Sequence, residues 1–409
     1  MKKVVVIGGG AGGLVASIVA AREGNSVFLV ERNSTCGKKI VLTGNGKCNY
    51  FNENQDISHY HSSHPEKIKT LLTEKRFKDV LSFFDTIGMV PKIKNGYYYP
   101  YAGQATSMKE ALLVEAKRQK VTILEEVYIE KISKEEEGFL VCSKEETIKA
   151  DAVILATGSK ACPKTGSDGN GYALVSQLGH SICEPLPALV PLKTNARCVK
   201  EWAGIRCEAS LSLFVEGKKK REEAGEIQLT PYGISGICTF NLSGIASRAL
   251  YHNQEVCVSI DFLPFLPKVF EERMAWLEKR QIEVPGRTLE QFFEPLLQYK
   301  LIRILLKEAH LSLEKTWNTC LRGEKEKLVK LMSSFPVPIT GTESYEKAQV
   351  CTGGIPLTEI NLETMESLKV KDLYLVGEML DVDGDCGGYN LTFAFLTGMI
   401  AGRSVGEKR

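Results

Sequence analysis

The chain opens with a continuous apolar run that leads directly into a run of glycines. Residues 4–7 read Val-Val-Val-Ile, as expected for a strand buried on both faces of a parallel sheet. Residues 8–13 hold five glycines in six positions, residues 14–22 suit a helix, and residues 26–30 form a second apolar run. This order predicts a strand, a tight turn, a helix and a second strand, which ends at the carboxylate of Glu31.

The rest of the chain alternates amphipathic segments with short apolar runs. Helical periodicity predicts helices at residues 66–88, 108–119, 266–281, 289–309, 325–332 and 390–404. Short apolar or alternating runs predict strands at residues 96–100, 121–125, 129–132, 139–143, 149–158, 209–216, 226–229, 255–262 and 373–378. The short strands before residue 149 fit a meander that leads back into the parallel sheet.

Two groups of prolines predict the boundaries of an inserted region, because proline is excluded from helix interiors and central strands. They are Pro185, Pro187 and Pro191 on one side, and Pro336 and Pro338 on the other. We therefore predict one discontinuous domain, residues 1–190 and 336–409, and an inserted region at 191–335. The insert is expected to be β-rich to about residue 262 and helical from about residue 263.

The glycine run matches the G-x-G-x-x-G spacing of dinucleotide-binding turns. Gly8 permits the tight turn, Gly10 lets the backbone approach a pyrophosphate, and Gly13 lets the helix pack closely on the strand. The helix start presents unpaired N–H groups and a positive dipole end to the phosphates. Glu31 stands where a carboxylate binds a ribose 2′-hydroxyl, which favours FAD or NAD over NADP.

Two later segments are predicted to face the same dinucleotide. Thr157 and Gly158 end one predicted strand, and Gly377 and Glu378 end another. A helix that begins near Asn390 is expected to point its positive end at a flavin, whose reduced form carries negative charge. Dehydrogenases that bind only NAD do not need such a late closing segment. The pattern therefore predicts bound FAD, held by both ends of the chain.

Composition narrows the function classes. The formal net charge of +2 gives no electrostatic reason to expect nucleic acid or an anionic membrane as the main partner, so we expect a small-molecule substrate. Twelve cysteines without a C-x-x-C pair are typical of reduced thiols in a cytoplasm rather than of disulfides or a zinc site. The run after Lys2 and Lys3 has the length of a signal peptide, but its glycines argue against one. No stretch suits a membrane span, and we expect a cytoplasmic protein.

Several further segments match a known family across essentially the whole chain. They are residues 37–40, 43–49, 233–236, 348–350, 353–355, 377–381 and 387–391. In them the chain resembles the NAD(FAD)-utilising dehydrogenases, or aminoacetone-oxidase-family FAD-binding enzymes. The resemblance implies an α/β fold: a glutathione-reductase-like, Rossmann-type FAD-binding domain with an inserted β-rich plus α-helical region. It implies FAD contacts from Ala11, Glu31, Lys39, Thr43, Gly44, Asn45, Val127, Gly377, Glu378, Asn390, Leu391 and Thr392.

The same resemblance implies an FAD-dependent oxidoreductase. The family includes a reductase of 3-dehydro-Δ4,6 bile acids, so we expect reduction of a C=C bond in an enone such as a 3-oxo-Δ4 or Δ4,6 bile acid or steroid. No second G-x-G-x-x-G motif follows a strand, so NADH or NADPH would dock transiently as electron donor. Three alternatives stay open: an amine or aminoketone oxidase that uses oxygen, a flavin-dependent RNA-modifying factor, and a flavin-binding protein without activity.

Two positions depart from the usual pattern of the family. Lys47 stands where arginine is common, and residues 392–395 replace a tryptophan-containing stretch near the expected flavin. The second departure bears on substrate specificity. No motif identifies the proton donor. Tyr99 and Asp381 are candidates. The alternatives are ordinary strand packing for Tyr99 and loop shaping for the aspartates at 381, 383 and 385.

Other reactive side chains are assigned ordinary structural roles. Cys48 is expected to be a packed thiol, because no second cysteine stands at redox-pair spacing. His59, His61 and His64 have no cysteine or acid at ligand spacing, so they indicate a solvated loop rather than a metal site. Residues 218–221, Lys-Lys-Lys-Arg, are expected at an exposed hairpin tip.

Overall fold

The computed structural model describes residues 1–406. It divides into two compact units. The first comprises residues 1–186 and the chain from residue 348 onward, and the second comprises residues 187–347. The predicted fold class, α/β with a Rossmann-type domain and an inserted β-rich and helical region, is confirmed.

The N-terminal part of the first unit contains twelve strands and five helices among the described residues. In chain order they are β1 (Lys3–Ile7), α1 (Ala11–Arg22), β2 (Ser26–Val30), β3 (Phe51–Asn52), β4 (Tyr60–His61), α2 (Pro65–Leu71), α3 (Glu74–Thr86), β5 (Pro91–Lys94), β6 (Tyr97–Pro100), α4 (Ala105–Arg118), β7 (Thr122–Leu124), β8 (Ile129–Lys134), β9 (Phe139–Ser143), β10 (Thr147–Ala150), β11 (Ala152–Leu155), α5 (Asn170–Gln177) and β12 (Cys183–Ala188).

The second unit follows, and then the chain returns to the first. The elements of the second unit are β13 (Leu192–Thr194), β14 (Arg206–Val215), β15 (Lys218–Thr230), β16 (Gly233–Ser235), α6 (Ile237–Tyr251), β17 (Val256–Asp261), α7 (Phe270–Glu283), α8 (Leu289–Phe293), α9 (Tyr299–Ala309), α10 (Arg322–Ser333) and β18 (Phe335–Thr342). The returning chain forms β19 (Val350–Gly354), β20 (Ile360–Asn361), β21 (Glu366–Ser367), β22 (Leu373–Leu375), β23 (Asp383–Gly384) and α11 (Tyr389–Gly406).

A seven-stranded sheet forms the centre of the first unit. Its order is β20-β21-β22-β11-β1-β2-β7, and the five strands from β22 to β7 run parallel. Val4 to Ile7 lie between β11 and β2 and are buried, which explains the continuous apolar run. The carboxyl ends of β1, β11 and β22 therefore meet at one edge, where ligands of open α/β sheets bind.

Four smaller sheets accompany it, one of which pairs β12 with β19. β8, β9 and β10 form the predicted antiparallel meander, whereas β7 joins the parallel sheet. The predicted strand at 149–158 is two strands: the chain turns at Asp151, whose carboxylate accepts the Lys3 N–H at 2.6 Å. β3, β6 and β5 form a second sheet, and β23 pairs with β4.

Two predicted helices are each interrupted. The segment at 66–88 is α2 and α3, because the Thr73 side chain accepts the Arg76 N–H and caps a new helix. The segment at 289–309 is α8 and α9, because Pro295 lies between them. Among residues 1–406, no helix has the length and apolar character that crossing a membrane requires.

The second unit contains a closed six-stranded barrel of order β13-β16-β15-β14-β17-β18. Pro336 and Pro338 lie inside β18, so the return expected at these prolines falls within a barrel strand. They are alternate residues, and their missing N–H groups therefore fall on one side of the strand. Helix α6 lies in the part predicted to be β-rich and was not predicted. Residues 218–221 begin strand β15 directly after the turn at residues 216–217, and residues 218–220 are exposed, so the prediction of an exposed hairpin tip is confirmed.

Candidate functional site

The turn between β1 and α1 is packed tightly on two sides and open on the third. A Cβ at Gly8, whose φ is +103°, would lie 2.5 Å from the Ala156 carbonyl oxygen. A Cβ at Gly13 would lie 1.9 Å from the Gly8 carbonyl oxygen. A Cβ at Gly10 would meet nothing within 4 Å, and no side chain caps the helix that follows. The turn thus presents an open cradle at a positive helix end, which suits a pyrophosphate.

The Glu31 carboxylate is held directly beside this turn. It is 7% exposed, and its Oε2 accepts the Gly9 N–H at 2.8 Å. Its Oε1 accepts the backbone and side-chain N–H groups of Asn33 at 2.8 and 2.6 Å. One acceptor site remains on Oε2, which suits a ribose hydroxyl. Val127 donates its N–H to the Glu31 carbonyl at 3.0 Å, so the structure places Val127 at the same end of the site.

Lys39 and Glu378, which are far apart in the sequence, form an ion pair. The Lys39 Nζ lies 2.6 Å from Glu378 Oε2, and the two side chains are 24% and 19% exposed. The Ser159 hydroxyl donates to the same carboxylate oxygen at 3.2 Å. A Cβ at Gly158 would lie 3.8 Å from this oxygen. The fold thereby brings together three predicted site residues from three separate segments: Lys39, Gly158 and Glu378.

The loop after Lys39 has an unusual backbone. Gly44 and Asn45 both adopt the left-handed conformation, with φ of 56° and 53°. The Thr43 hydroxyl donates to the Ile40 carbonyl at 2.7 Å, and the Cys48 N–H donates to the Thr43 carbonyl at 3.0 Å. Gly44 and Asn45 are exposed, and Thr43 is half-buried. The loop is therefore fixed by its own hydrogen bonds, with its tip available to a ligand.

The start of α11 is fixed by side chains that were predicted to contact the cofactor. The Asn390 amide both accepts the Gly384 N–H at 2.8 Å and donates to the Gly384 carbonyl at 2.7 Å. The Thr392 hydroxyl, fully buried, donates to the Tyr50 carbonyl at 3.2 Å. Leu391 is half-buried. These bonds position the backbone N–H groups at the helix start, which carry the positive end of the helix dipole.

Strand β22 ends at Leu375, three residues before the predicted end at residue 378, and Gly377–Met379 form a 3-10 helix instead. Thr157 follows the end of β11, and its hydroxyl faces the Met379 sulfur at 4.0 Å. The Gly377 N–H donates to the Thr397 hydroxyl of α11 at 3.0 Å. A Cβ at Gly377 would lie 3.7 Å from the Ala394 Cβ. Residues after β11 and β22 therefore lie next to one another and next to α11.

Asp381 and Asp385 are buried carboxylates with structural partners. Asp381 is fully buried, and its Oδ2 accepts the Ser63 N–H at 2.9 Å. This contact favours the loop-shaping interpretation over a role in proton transfer. Asp385 is 2% exposed and bridges two histidines: Oδ2 lies 2.9 Å from His59 Nδ1, and Oδ1 lies 2.9 Å from His61 Nε2.

The histidines correct one prediction. His59 and His61 are half-buried against Asp385, and the His59 ring stacks on Tyr389 at 4.6 Å, so the solvated-loop prediction is wrong for both. His64 pairs with Glu66 at 3.6 Å and is closer to the prediction. Within residues 1–406, no group of His, Cys, Asp and Glu side chains has the arrangement of a metal site.

The cysteine and tyrosine candidates differ in their surroundings. Burial raises the pKa of the Cys48 thiol to about 12, so it stays protonated at neutral pH, as a packed thiol should. The same cause, helped by Glu31, raises the pKa of Cys36 to about 12. Burial, and to a smaller extent the neighbouring Tyr97, raises the pKa of the Tyr99 phenol above its usual 10.0.

Two features of the site were not predicted. The Ser159 hydroxyl donates to Glu378, and its position directly after Thr157 and Gly158 is the signal that could have identified it. The bridge from Asp385 to His59 and His61 had no such signal, because the partners lie more than 300 positions apart in the sequence.

Comparison with known proteins covers the whole chain. The model of the HI0933-like protein Rossmann domain matches residues 2–404. The 3-dehydro-bile acid Δ(4,6)-reductase of Clostridium scindens is 38% identical over 100% of both chains. Ribosomal RNA dihydrouridine synthases are 26% identical in Escherichia coli K12, over 96% of this chain and 94% of that protein, and 28% identical in Haemophilus influenzae, over 99% and 98%.

Among solved structures, a 3-ketosteroid-Δ4-(5α)-dehydrogenase of Rhodococcus jostii RHA1 aligns with 100% of this chain and 97% of its own, at a TM-score of 0.49 and 15% identity. At that distance the likeness says nothing about substrate. The family match and the full-length relatives agree with the open glycine turn and with a site formed by segments from both the start and the end of the chain. This chain belongs to the HI0933-like family of proteins with a Rossmann domain.

Proposed function

We propose that this protein is an FAD-dependent oxidoreductase that reduces a C=C bond conjugated to a carbonyl group, in a small molecule such as a 3-oxo-Δ4 or Δ4,6 bile acid or steroid. The single observation that carries the proposal is the joint cradle: an open glycine turn at one end of the chain and a fixed helix start at the other. A Rossmann domain with both features fits a dinucleotide such as FAD, whose phosphates would lie at the glycine turn and whose flavin would lie at the second helix start.

The residues present fit FAD. The turn at Gly10 and the start of α1 would hold the pyrophosphate, and Glu31 the ribose. Lys39 and the loop tip at Asn45 would lie along the cofactor. The start of α11 would stabilise the charge of the reduced ring. When bound, FAD supplies hydride transfer; the protein supplies orientation, charge stabilisation and exclusion of water.

The relatives support the choice of bond. The Clostridium scindens protein is named for reduction at the Δ4 and Δ6 positions of a 3-dehydro bile acid. The two bacterial RNA enzymes are named for forming dihydrouridine, and the uracil C=C bond is likewise conjugated to a carbonyl. The common chemistry is hydride addition to an activated C=C bond. The identity of 38%, against 26% and 28%, favours the bile-acid type of substrate.

We further propose NADH or NADPH as the electron donor, docking transiently, and a cytoplasmic location, for which the twelve free cysteines are the support. The near-neutral charge of the chain supports a small-molecule substrate rather than nucleic acid.

The test begins with the purified protein and its visible spectrum. The flavin is photoreduced under anaerobic conditions and mixed with a 3-oxo-Δ4,6 bile acid, and its reoxidation is followed. The saturated 3-oxo bile acid, which lacks the C=C bond, is the matched control. We expect rapid reoxidation by the enone alone and a product with two more hydrogens. A protein that binds no FAD, or whose flavin reacts only with oxygen and an amine, contradicts the proposal.

The second candidate is an RNA-directed reductase, favoured by the two dihydrouridine synthases. The same reduced protein is offered ribosomal RNA that lacks dihydrouridine. Reoxidation by the RNA, with dihydrouridine formed and no reaction with the bile acid, would replace the first proposal by the second.

A further inference from the structure

The hairpin of β5 and β6 carries three consecutive tyrosines on two different faces. Tyr98 pairs across the sheet with Phe51 and Ile93, and its ring contacts Phe51 at 5.3 Å and Tyr50 at 6.2 Å. It is therefore accounted for by packing. Because successive strand residues point to opposite faces, Tyr97 and Tyr99 lie on the other face.

Tyr97 packs against Gly387, which precedes α11. A Cβ at Gly387 would lie 3.2 Å from the Tyr97 ring and 2.9 Å from the Tyr389 ring, so Gly387 fits only because it has no side chain. The Asn52 side chain, opposite Tyr97 on β3, donates to the Gly387 carbonyl at 3.2 Å. Tyr97 is thus fixed at the helix start that is proposed to face the flavin.

The Tyr97 hydroxyl is available to a ligand. The residue is 36% exposed, so its hydroxyl can be reached from solvent. Its cross-strand neighbour on β5 is Lys94, which lies on the same face. Lys94 is also exposed, so this face of the hairpin is open to a ligand.

We propose that Tyr97 donates the proton that completes reduction of the C=C bond; this rests on the proposed function. Hydride, which is one proton with two electrons, comes from the reduced cofactor and adds to the carbon β to the carbonyl. The C=C electron pair moves to form an enolate. The Tyr97 O–H bond breaks, its proton joins the α carbon, and the phenolate regains a proton from water. The product has gained two protons and two electrons, which together are two hydrogen atoms.

The other candidates fit this role less well. Tyr99 lies on the same face, but it is half-buried and two positions further along β6, away from Gly387. Asp381 is fully buried and accepts the Ser63 N–H. Neither combines contact with the helix start and an available hydroxyl.

The experiment compares Tyr97→Phe with Tyr99→Phe, the matched change on the same face. Both proteins are purified with FAD and photoreduced, so the unknown electron donor is not needed. Reoxidation by the 3-oxo-Δ4,6 bile acid is timed, and the Kd of the enone for the oxidised protein is measured from the shift of the flavin spectrum. A third variant, Tyr97→His, restores a group that can donate a proton. Thermal unfolding checks the fold of each protein.

We expect Tyr97→Phe to slow reoxidation by about 100- to 10,000-fold, the usual worth of a general acid, with the enone Kd and FAD content changed less than about twofold. Tyr99→Phe should stay within about threefold of the parent, and Tyr97→His should recover part of the loss. Unchanged reoxidation in Tyr97→Phe overturns the inference, as does a loss of FAD or of folding that Tyr97→His does not repair. If the parent protein itself fails to react with any enone, the proposed function has failed instead.

Discussion

Gly10→Ala separates cofactor binding from folding. The structure gives Gly10 a φ of −79° and a ψ of −167°, which alanine adopts without strain. A methyl group there meets no protein atom within 4 Å, so the folded chain has room for it. That same room is where the pyrophosphate of FAD is proposed to lie. The substitution should therefore leave the protein intact and fill the cradle.

The expected magnitudes follow from these contacts. The free energy of unfolding of the FAD-free protein should change by no more than about 0.5 kcal/mol, as for a substitution that meets no neighbour. Loss of one or two charge-assisted hydrogen bonds to the phosphates costs about 1.5–3 kcal/mol each. Because each 1.4 kcal/mol is tenfold, a loss of about 1.5–6 kcal/mol should raise the Kd for FAD by about tenfold to about 20,000-fold.

Gly13→Ala is the comparison. Its methyl group would lie 1.9 Å from the Gly8 carbonyl oxygen, a backbone atom that cannot move without separating helix from strand. We expect a loss of about 1–3 kcal/mol or more in the free energy of unfolding. Urea unfolding of both FAD-free variants and titration with FAD provide the two measurements. If Gly10→Ala binds FAD as tightly as the parent protein, or is destabilised as much as Gly13→Ala, the assignment of this turn to the pyrophosphate is wrong.

Three further predictions concern other contacts. A double-mutant cycle of Lys39→Met and Glu378→Gln, measured by urea unfolding of the FAD-free protein, should give a coupling energy of about 0.5–3 kcal/mol, whereas additive effects would contradict a direct pair. Burial is the main cause that lowers the pKa of His180 below 6.5, although Glu359 opposes it. The contribution of His180 to stability is therefore present above about pH 6.5 and is lost as the pH falls below that value. In His180→Gln, the drop in the free energy of unfolding between pH 7.5 and pH 5.5, about one unit on either side, should shrink. Cys48→Ala should keep flavin reoxidation within about twofold, and a large loss would reinstate a redox role.

The first βαβ unit was predictable because its signals are local. The continuous apolar run at residues 4–7, the glycines and Glu31 each follow from strand burial, close backbone approach or ribose binding. The meander was predictable for the same reason. The errors arose where a tertiary partner decides the outcome. Apart from Leu242, the buried residues of helix α6 are small or carry hydroxyl groups, and periodicity alone did not reveal the helix.

The prolines of β18 show a similar limit. Pro336 and Pro338 are poor residues for a central strand, yet they alternate with buried Phe335, Val337 and Ile339. The alternation is the signal of a strand, and it outweighs the prolines because the missing N–H groups fall on one side. In the site, the same holds for His59 and Asp385: neither residue carries a local sign of the other, and only the pairing of β4 with β23 brings them together.

The packing of α1 against α11 explains how one cofactor can be held by both ends of the chain. A Cβ at Gly398 would lie 2.4 Å from the Gly12 carbonyl oxygen, and one at Gly402 would lie 2.7 Å from the Ala16 carbonyl oxygen. Contacts that advance four residues on each helix mean that the two run in the same direction. In this register α11 begins eight residues earlier than α1, which is roughly 12 Å at 1.5 Å per residue.

Two positive helix ends therefore point the same way, staggered by this distance and locked by contact between the helix backbones. A dinucleotide flavin has its negative charges at two separated places, the pyrophosphate and, after reduction, the ring beyond the ribityl chain. A staggered pair of helix ends can face both at once, whereas a single helix start or two level ones cannot. Because the glycine contacts fix the stagger before binding, the cofactor does not have to order the two segments, and less of its binding energy is lost to that ordering.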